Sequence, residues 1–448
     1  MGKHLFGTDG IRGIPGEPPL DDSTLIRVGM ALGKHLWAAG GAGARVLIGR
    51  DTRESGPHIA QQIACGLAAA GAEPVSAGVL TTPGVAWLVH REGFSAGVVI
   101  SASHNPYHDN GVKLIASSGM KFPDAVEADL ERVILSLDAP ASLPKAPVGD
   151  GKKALHSDYL EGLRAAVLPG ANLAGMKIVV DCANGAASEL APELFRSLGA
   201  SVVAINNAPD GRNINADCGS LHPETMRKRV VDERAAVGVA FDGDADRAIF
   251  ASGSGRIVNG DGVLLAAGRY LQSAGKLRGG AIVGTTMSNL GLERALEKTG
   301  LTLVRAAVGD RYVLEEMLRI GTNLGGEQSG HILFLDDATT GDGMLTAVKV
   351  VSLVAVCGSL DALTRDLKEF PQKIVNVRVR SKPPLEELSG VSRALKEAEK
   401  GLGDSGRVVV RYSGTEPLAR VMVEAERAED VQHWADSLAA ALKSEIGA

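Results

Sequence analysis

The sequence predicts an α/β protein with three related α/β domains of mixed or parallel sheets and a smaller C-terminal α+β domain, arranged around a central cleft. Two observations predict this class. A pattern of β-rich and helical segments recurs three times along the chain, and each copy ends in an unusual polar loop. Alternating strands and helices favour largely parallel sheets that are covered by helices on both faces. The chain has 448 residues, which is enough for several separate cores.

In the first repeat, a β-rich run at 44–51 precedes a helix that begins near Pro57, because proline suits the first turn of a helix. A second strand is expected near 75–80. After another helical segment, a continuous apolar strand is expected at 96–101. This strand runs directly into the polar loop SASHNP.

The second and third repeats follow the same order and end in the loops DGDADR and GGEQSGH. The segments of the second repeat are 176–185, 188–198, 201–205, 223–234 and 237–241. The segments of the third repeat are 281–286, 290–298, 301–308 and 311–320, followed by a short strand. Ligands of such sheets bind beyond the carboxyl ends of the strands. All three polar loops fall at that place, so we expect them to share one cleft.

The C-terminal part of the chain changes pattern. Strands at 374–380, 407–412 and 420–426 alternate with a helix at about 385–402, and an amphipathic helix closes the chain. A linker is expected at 136–151. The predicted domains are 1–150, 151–255, 256–368 and 369–448.

Composition and charge argue against several classes of protein. The net charge is −6, and no basic run interleaved with aromatic residues occurs, so we expect no nucleic-acid partner. The four cysteines are widely spaced and form no CxxC pair, which argues against a disulfide framework or a zinc site. The sequence shows no signal peptide and no apolar stretch long enough to cross a bilayer. We therefore expect a cytoplasmic protein without a membrane partner.

The loop SASHNP can expose a serine oxygen. Ser103 follows the apolar strand, and Pro106 stops the chain from continuing as a strand. Serine becomes a nucleophile only when a charge or a base assists it. The hexapeptide alone favours a plain turn, in which serine and asparagine cap nearby backbone groups. Both interpretations stay open on this loop alone.

The loop DGDADR predicts a metal site. Asp242, Asp244 and Asp246 lie two residues apart on a loop that leaves a strand, so their carboxylates can converge on one hard cation such as magnesium or calcium. An EF-hand is excluded, because Arg247 and Gly253 stand where that motif needs glycine and glutamate. A solvated acidic turn is the weaker alternative, since three like charges beside a buried strand repel one another.

Three further loops carry weaker signals. GGEQSGH offers hydrogen-bonding groups to sugar hydroxyls through Glu327, Ser329 and His331, although the loop alone favours a structural turn. FGTDGIRG contains Arg12 and can cradle an anion, or it is a flexible N-terminal loop.

RYSGTEPLAR can surround a phosphate, because arginine forks and backbone amides beside glycine bind phosphate oxygens. A hairpin turn with a solvated arginine fits this loop equally well. The candidate phosphate ligands are Arg411, Ser413, Gly414, Thr415 and Arg420.

Together these loops, in this order and over nearly the whole chain, resemble the α-D-phosphohexomutase superfamily. The strings CGSLHPE (218–224), GEQSGH and TTGDG (339–343) are similar to its bacterial phosphoglucosamine mutase branch. Phosphomannomutase/phosphoglucomutase relatives typically carry methionine at the place of Gln328. The resemblance implies a four-domain, heart-shaped enzyme with one central cleft, in agreement with the threefold repeat.

The resemblance also implies a role for each loop. The first domain would carry the phosphorylated serine, Ser103. The metal ion of the second domain would bind a phosphoserine oxygen, Asp242, Asp244 and Asp246. The residues implied in phosphoryl stabilisation and proton transfer are Arg12, His104, Lys113 and Arg247.

The third and fourth domains would hold the substrate. Glu327 and Ser329 match contacts to sugar hydroxyls, with His331 nearby. The site for the phosphate that is not being transferred is matched by Arg411, Ser413, Gly414 and Thr415, with Arg420 as a second cation. Arg50 and the pair Asp310 and Arg311 are expected to line the same cleft.

The implied reaction interconverts glucosamine 6-phosphate and glucosamine 1-phosphate through phospho-Ser103 and a 1,6-bisphosphate, for amino-sugar and cell-wall precursor synthesis. The implied cofactors are one Mg²⁺ per chain and glucosamine or glucose 1,6-bisphosphate as primer. The implied partners are a hexosamine phosphate and a second copy of the chain in a homodimer. Alternatives are specificity for mannose or glucose phosphate, a metal-dependent sugar phosphatase, and a non-catalytic phosphosugar sensor.

Overall fold

The computed structural model describes residues 5–7, 9–40, 43–138, 142–146, 148–149, 151–413 and 417–448. Four sheets define four domains, and the first sheet has the strand order β1-β5-β4-β2-β3. Its strands are β1 (Ile11–Gly13), β2 (Arg45–Arg50), β3 (Glu73–Val79), β4 (Ala96–Ile100) and β5 (Asn110–Ala116). Its helices are α1 (Asp22–Ala38), α2 (Gly56–Ala69), α3 (Thr82–Arg91) and α4 (Asp124–Ser136).

The second sheet repeats this plan with the order β10-β9-β8-β6-β7. The elements of the second domain are α5 (Lys153–Ala165), β6 (Lys177–Asp181), α6 (Leu190–Ser197), β7 (Ser201–Ile205), α7 (Glu224–Glu233), β8 (Val237–Phe241), β9 (Ala248–Ser252) and β10 (Ile257–Val258).

The third sheet has four strands in the order β12-β11-β13-β14. The elements of the third domain are α8 (Gly260–Ser273), β11 (Ala281–Thr285), α9 (Leu290–Glu297), β12 (Thr302–Ala306), α10 (Asp310–Ile320), β13 (Leu324–Gly326), β14 (Ile332–Phe334), α11 (Gly343–Cys357) and α12 (Leu360–Leu363).

The fourth sheet is antiparallel, with the order β15-β17-β16, and two helices accompany it. The elements of the fourth domain are β15 (Gln372–Arg378), α13 (Ser389–Leu402), β16 (Gly406–Tyr412), β17 (Leu418–Ala425) and α14 (Ala428–Ile446). The helix expected at about 385–402 therefore begins at Ser389, after a short 3₁₀ turn at Leu385–Glu387.

The strands β5, β9 and β14, which run antiparallel to their preceding neighbours, were not predicted from the sequence, and neither were the short edge strands β1 and β10. β4, β8 and β13 leave the parallel part of their sheets, and each is followed by an antiparallel neighbour, β5, β9 or β14. Each of the three polar loops thus reverses the chain between two strands that pair with each other. As a consequence, the end of the first strand and the start of the second both lie next to the loop that joins them.

The first three domains share an apolar core, whereas the fourth domain has its own. One continuous cluster of buried side chains runs from Leu47 in the first domain through Phe195 and Phe250 to Leu353 in the third. The fourth domain packs β15 and β17 against α13 and α14 in a separate cluster, which includes Val421. Burial of apolar surface is the main force that joins domains rigidly. The first three domains therefore form one body.

Polar contacts connect the fourth domain to the third. Arg407 donates to the carbonyl oxygens of Thr286 and Ser288, at 2.8 and 2.6 Å. Glu424 accepts from the amide of Leu290 at 2.9 Å and pairs with Arg407.

Within the described residues, no helix is both long enough and apolar enough to cross a membrane.

Helices α1 and α2 approach closely because glycines lie at their contact. A Cβ atom at Gly66 would overlap the carbonyl oxygen of Ile26. We expect Gly66→Val to force the helices apart and to lower the free energy of unfolding by about 1–3 kcal/mol, the usual cost of overpacking. Thermal or urea unfolding followed by circular dichroism measures this. Gly149→Val is the control, since a Cβ there meets no atom within 4 Å. Equal stability of the two variants would contradict the packing argument.

Candidate active site

The loop from β4 to β5 presents Ser103 to the second domain. Ser103 adopts φ of 52°, in the left-handed region, and is 1% exposed. Its hydroxyl donates to Oδ2 of Asp242 at 2.6 Å. A non-glycine residue in this conformation is strained, and such strain persists only where the surroundings fix it. The structure therefore brings the candidate nucleophile directly to the candidate metal site.

Asp242, Asp244 and Asp246 form one tight group in the reversal from β8 to β9. One carboxylate oxygen from each lies within 4.8 Å of the others. In the described part of the chain, this is the one such group of three acidic, histidine or cysteine side chains. Ala245, between two of them, has φ of 55°, which turns the chain so that the carboxylates converge.

The electrostatics of this group require a positive partner. Burial raises the pKa of Asp242 well above its usual range, and the charges of Asp246 and Asp244 add to the effect. The Oδ1 atoms of Asp244 and Asp246 are buried and accept no hydrogen bond from the described residues. Buried carboxylate oxygens without donors suit a hard divalent cation. The residues present therefore fit a metal ion.

Lys113 supplies part of the positive charge. It lies on β5, is 1% exposed, and its Nζ is 3.0 Å from an oxygen of Asp244 and 3.0 Å from one of Asp9. Burial alone would lower the pKa of Lys113, but the charges of Asp244 and Asp9 raise it well above the ordinary value. Arg12 pairs with Asp9 at 2.5 Å, which joins the N-terminal loop to the site.

The imidazole of His104 contacts both Ser103 and Arg247. Nη1 of Arg247 donates to Nδ1 of His104 at 3.3 Å. The same Nδ1 of His104 is 3.4 Å from Oγ of Ser103. Burial and then the charge of Arg247 lower the pKa of His104, so the imidazole is held neutral. The backbone amide of Arg247 donates to Oδ1 of Asp242 at 3.1 Å.

The third domain brings His331 to the aspartates. Nδ1 of His331 is 3.7 Å from Oδ2 of Asp246, and its ring is almost fully buried. Burial opposes protonation, but the interaction with the nearby Asp246 carboxylate raises the pKa of His331 to about 9. Glu327 accepts from the amide of Gly309 at 3.0 Å, and the exposed Ser329 is 3.5 Å from Glu327.

The string TTGDG packs behind this histidine. A Cβ at Gly341 would overlap the ring of His331, and a Cβ at Gly343 would lie 2.6 Å from the carbonyl oxygen of Arg247. Asp342 caps α11 and accepts from the hydroxyl of Tyr159 at 2.8 Å. These glycines therefore let the third domain press against the aspartate loop.

The structure divides the pair of Asp310 and Arg311. Asp310 joins the ion-pair network of the site through Lys121, whose Nζ is 2.7 Å from Asp310 and 2.6 Å from Asp9. Arg311 instead pairs with Asp124 at 2.6 Å, in a second contact between the first and third domains.

Arg50 donates to the neighbouring carbonyl of Asp51 at 3.2 Å. This contact holds Arg50 near the start of the segment that follows β2. A role for Arg50 in the cleft remains an expectation from the sequence.

The fourth domain contains a second cationic cluster. Arg411 lies directly opposite Arg420 on the paired strands β16 and β17. Burial and then the charge of Arg420 lower the pKa of Arg411. Like charges placed opposite each other destabilise a sheet, so an anion between them would relieve the repulsion. Ser413 is buried beside them, and Lys382 donates to its carbonyl oxygen. Gly414 and Thr415 lie outside the described residues.

Sequence reasoning missed several residues of the site. Asp9 and Lys121 complete the ion-pair network, and Lys382 reaches the serine of the fourth domain. Thr82 donates its hydroxyl to Oδ2 of Asp244 at 2.5 Å and its amide to the carbonyl of the same residue. The second threonine of TTP, at the start of a helix, was a weak signal for such a contact. Arg53, in the segment between β2 and α2, also donates to the carbonyl oxygen of Ser103.

Three α/β domains that bring a serine to three buried aspartates, followed by an α+β domain with a cationic pair of arginines, define an enzyme of the phosphohexomutase type. Family models of the phosphoglucomutase/phosphomannomutase family match the whole of this architecture. Its α/β/α domains I, II and III match residues 3–140, 157–255 and 259–370, and its C-terminal domain matches 374–441. The chain belongs to the phosphoglucomutase/phosphomannomutase family.

Within that family, the chain is similar over its full length to phosphoglucosamine mutases. The protein of that name from Solibacter usitatus is 52% identical and is covered completely, as is this chain. The phosphoglucosamine mutase from Koribacter versatilis is 51% identical over 99% of this chain and 98% of its own.

Solved structures share the fold. A phosphoglucomutase/phosphomannomutase family protein from Burkholderia thailandensis has a TM-score of 0.81 at 24% identity, over 98% of this chain and 97% of its own. N-acetylphosphoglucosamine mutase from Aspergillus fumigatus, solved in complex with GlcNAc-6P and magnesium, has a TM-score of 0.69 at 18% identity, over 98% and 96%.

The aspartate group predicts that a divalent cation stabilises the protein. A ligand that binds only the folded state adds about 2.7 kcal/mol at a hundredfold excess over its Kd. We expect MgCl₂ to raise the melting temperature of the native chain and to raise that of Asp244→Asn far less. Differential scanning fluorimetry measures both. Asp232→Asn, at an exposed position of α7, serves as the matched control. An unchanged magnesium shift in Asp244→Asn would reject the aspartate loop as the cation site.

Proposed function

We propose that this chain is a phosphoglucosamine mutase, which interconverts glucosamine 6-phosphate and glucosamine 1-phosphate through phospho-Ser103 and a hexosamine 1,6-bisphosphate. The observation that carries the proposal is the 2.6 Å hydrogen bond between Ser103 and Asp242 within the buried aspartate group. The full-length similarity to phosphoglucosamine mutases supports the choice of substrate.

The proposed metal ion is Mg²⁺, one per chain, held by the three aspartates and by a phosphoserine oxygen of Ser103. When bound, it supplies positive charge that neutralises the transferring phosphoryl group. Arg247 contacts His104, whose Nδ1 is 3.4 Å from the serine oxygen, and is proposed to steady the same group. Phosphoryl transfer depends chiefly on such positioning and charge neutralisation.

Lys113 and Arg12 are proposed to complete the neutralisation of the transferring phosphoryl group. Lys113 remains charged because two carboxylates lie 3.0 Å from its Nζ. His104 is neutral and its Nδ1 accepts from Arg247, so it orients the guanidinium rather than adding a second cation. These contacts fix each cation before the sugar arrives, which lowers the cost of reorganisation.

The sugar is proposed to bind between the third and fourth domains. Glu327 and Ser329 would contact its hydroxyls, with His331 nearby. The phosphate that is not being transferred would bind a pocket formed by Arg411, Ser413, Gly414, Thr415 and Arg420. The bisphosphate must turn around so that either phosphate can face Ser103. The polar junction of the fourth domain supports a hinge that holds the intermediate and permits this turn.

Further parts of the proposal follow from the family. The domains are proposed to span 1–150, 151–255, 256–368 and 369–448, and to carry the phosphoserine, the metal ion, the sugar site and the phosphate pocket in that order. Glucosamine or glucose 1,6-bisphosphate would prime Ser103. We propose a homodimer in the cytoplasm, with no nucleic-acid or membrane partner.

The serine gives the first test of the mechanism. Ser103→Ala removes the hydroxyl oxygen that is proposed to carry the phosphoryl group, so we expect turnover of glucosamine 6-phosphate to be abolished while the fold is kept. A coupled assay of isomer formation and circular dichroism measure the two properties. Ser118→Ala, at an exposed turn, is the control and should turn over normally. Near-normal mutase activity of Ser103→Ala would exclude a phosphoserine route.

The substrate gives the second test. We expect kcat/KM to be highest for glucosamine phosphate, lower for glucose phosphate and lowest for mannose phosphate, because the similarity is to phosphoglucosamine mutases. The same reactions are assayed for inorganic phosphate, which a mutase leaves at background. A preference for mannose or glucose phosphate would favour the alternative specificity. Stoichiometric release of phosphate without an isomer would instead identify a phosphatase.

A further inference from the structure

Two carbonyl oxygens of the serine loop receive hydrogen bonds from two different domains. Nη2 of Arg53, in the first domain, donates to the carbonyl of Ser103 at 3.1 Å and to that of Asn105 at 2.8 Å. Nδ2 of Asn215, in the second domain, donates to the same two carbonyls at 2.9 and 3.1 Å. The peptide segment 103–105 is thus held between the two domains.

The four hydrogen bonds use all the available groups. A guanidinium Nη and an amide Nδ each carry two hydrogens, and each carbonyl oxygen has two lone pairs. Arg53 is fixed because it is fully buried and pairs with Asp51 at 2.9 Å. The amide of Ser103 donates to Ser101, whose hydroxyl donates to the same Asp51. Both backbone polar groups of Ser103 are therefore bound, which maintains its strained φ.

Asn215 is anchored to the domain of the aspartates. Its backbone amide donates to the carbonyl of Ala183 at 2.9 Å, and its own φ is 58°. The aspartate loop packs against the same place, since a Cβ at Gly243 would lie 2.5 Å from the carbonyl oxygen of Ser103 and 2.9 Å from Nδ2 of Asn215. The side chain of Asn215 thus lies where the serine loop and the aspartate loop meet.

We propose that Asn215 is a positioning residue, which holds the serine loop of the first domain in register with the aspartate loop of the second. This inference rests on the proposed function, in which phospho-Ser103 and the aspartates act on one phosphoryl group. Arg53 fixes the serine loop within its own domain, and Asn215 fixes it relative to the neighbouring domain. Asparagine suits the position because it offers two hydrogens from one atom and tolerates left-handed backbone.

The closing experiment compares three variants of the full chain. Asn215→Asp keeps the shape and the backbone preference but turns acceptor oxygens toward two carbonyls. Asn215→Gly removes the side chain without strain at a positive φ. Asn213→Asp makes the same chemical change two residues away, where the amide donates to Ala208. Steady-state kinetics on glucosamine 6-phosphate, circular dichroism and melting temperature are measured for each.

We expect Asn215→Asp to lower kcat about 100-fold, the effect of a small misplacement of reacting groups, while KM changes less than about threefold. Asn215→Gly should lower kcat about tenfold, since Arg53 still binds both carbonyls. Asn213→Asp should match the native chain.

Native kcat in Asn215→Asp, or in Asn215→Gly if the first variant does not fold, would overturn the inference. An equal loss in Asn213→Asp would also overturn it, since it marks general damage to the loop. Failure of the proposed function is distinguishable, because the native chain itself would then form no isomer.

Discussion

The rest of the site depends on one electrostatic constraint, the confinement of three carboxylates to a buried turn. Asp242, Asp244 and Asp246 place oxygens within 4.8 Å of one another, where like charges strongly disfavour joint ionisation. Cations therefore converge on them from every side. Lys113 comes from the first domain, Arg247 follows directly in sequence, and the third domain contributes a histidine. The cluster thus collects positive charge, which is what a phosphoryl group requires of a binding site.

The same reversal of the chain serves three purposes in three domains. In each, a parallel strand ends in a polar loop and returns as an antiparallel strand. A reversal between paired strands is held at both ends, so its side chains are placed more firmly than those of an open loop. The first reversal carries the serine, the second the aspartates and the third the groups that suit sugar hydroxyls. The same backbone arrangement thus carries three different sets of functional side chains.

The apolar cores divide the molecule into two parts. The three reversals belong to domains that share a continuous apolar core, so their relative positions are fixed to the precision that phosphoryl transfer needs. The cationic pair of Arg411 and Arg420 lies on a domain with its own core, joined through Arg407 and Glu424. A polar junction of this kind permits motion at a lower cost than an apolar one. The proposed site of phosphoryl transfer and the proposed phosphate pocket therefore lie on parts of the molecule that can move separately.

The sequence alone determined the alternating elements, the threefold repeat, the positions of the polar loops and the residues within them. These features are local, because hydrophobic periodicity and closely spaced charges can be recognised within a few residues of sequence. Only the tertiary structure decided the antiparallel returns and the partners of each loop. Thr82 meets Asp244 across 162 positions, and Asn215 meets Ser103 across 112. A single polar residue shows no periodicity in the sequence. Its structural role depends on which distant group the fold places beside it.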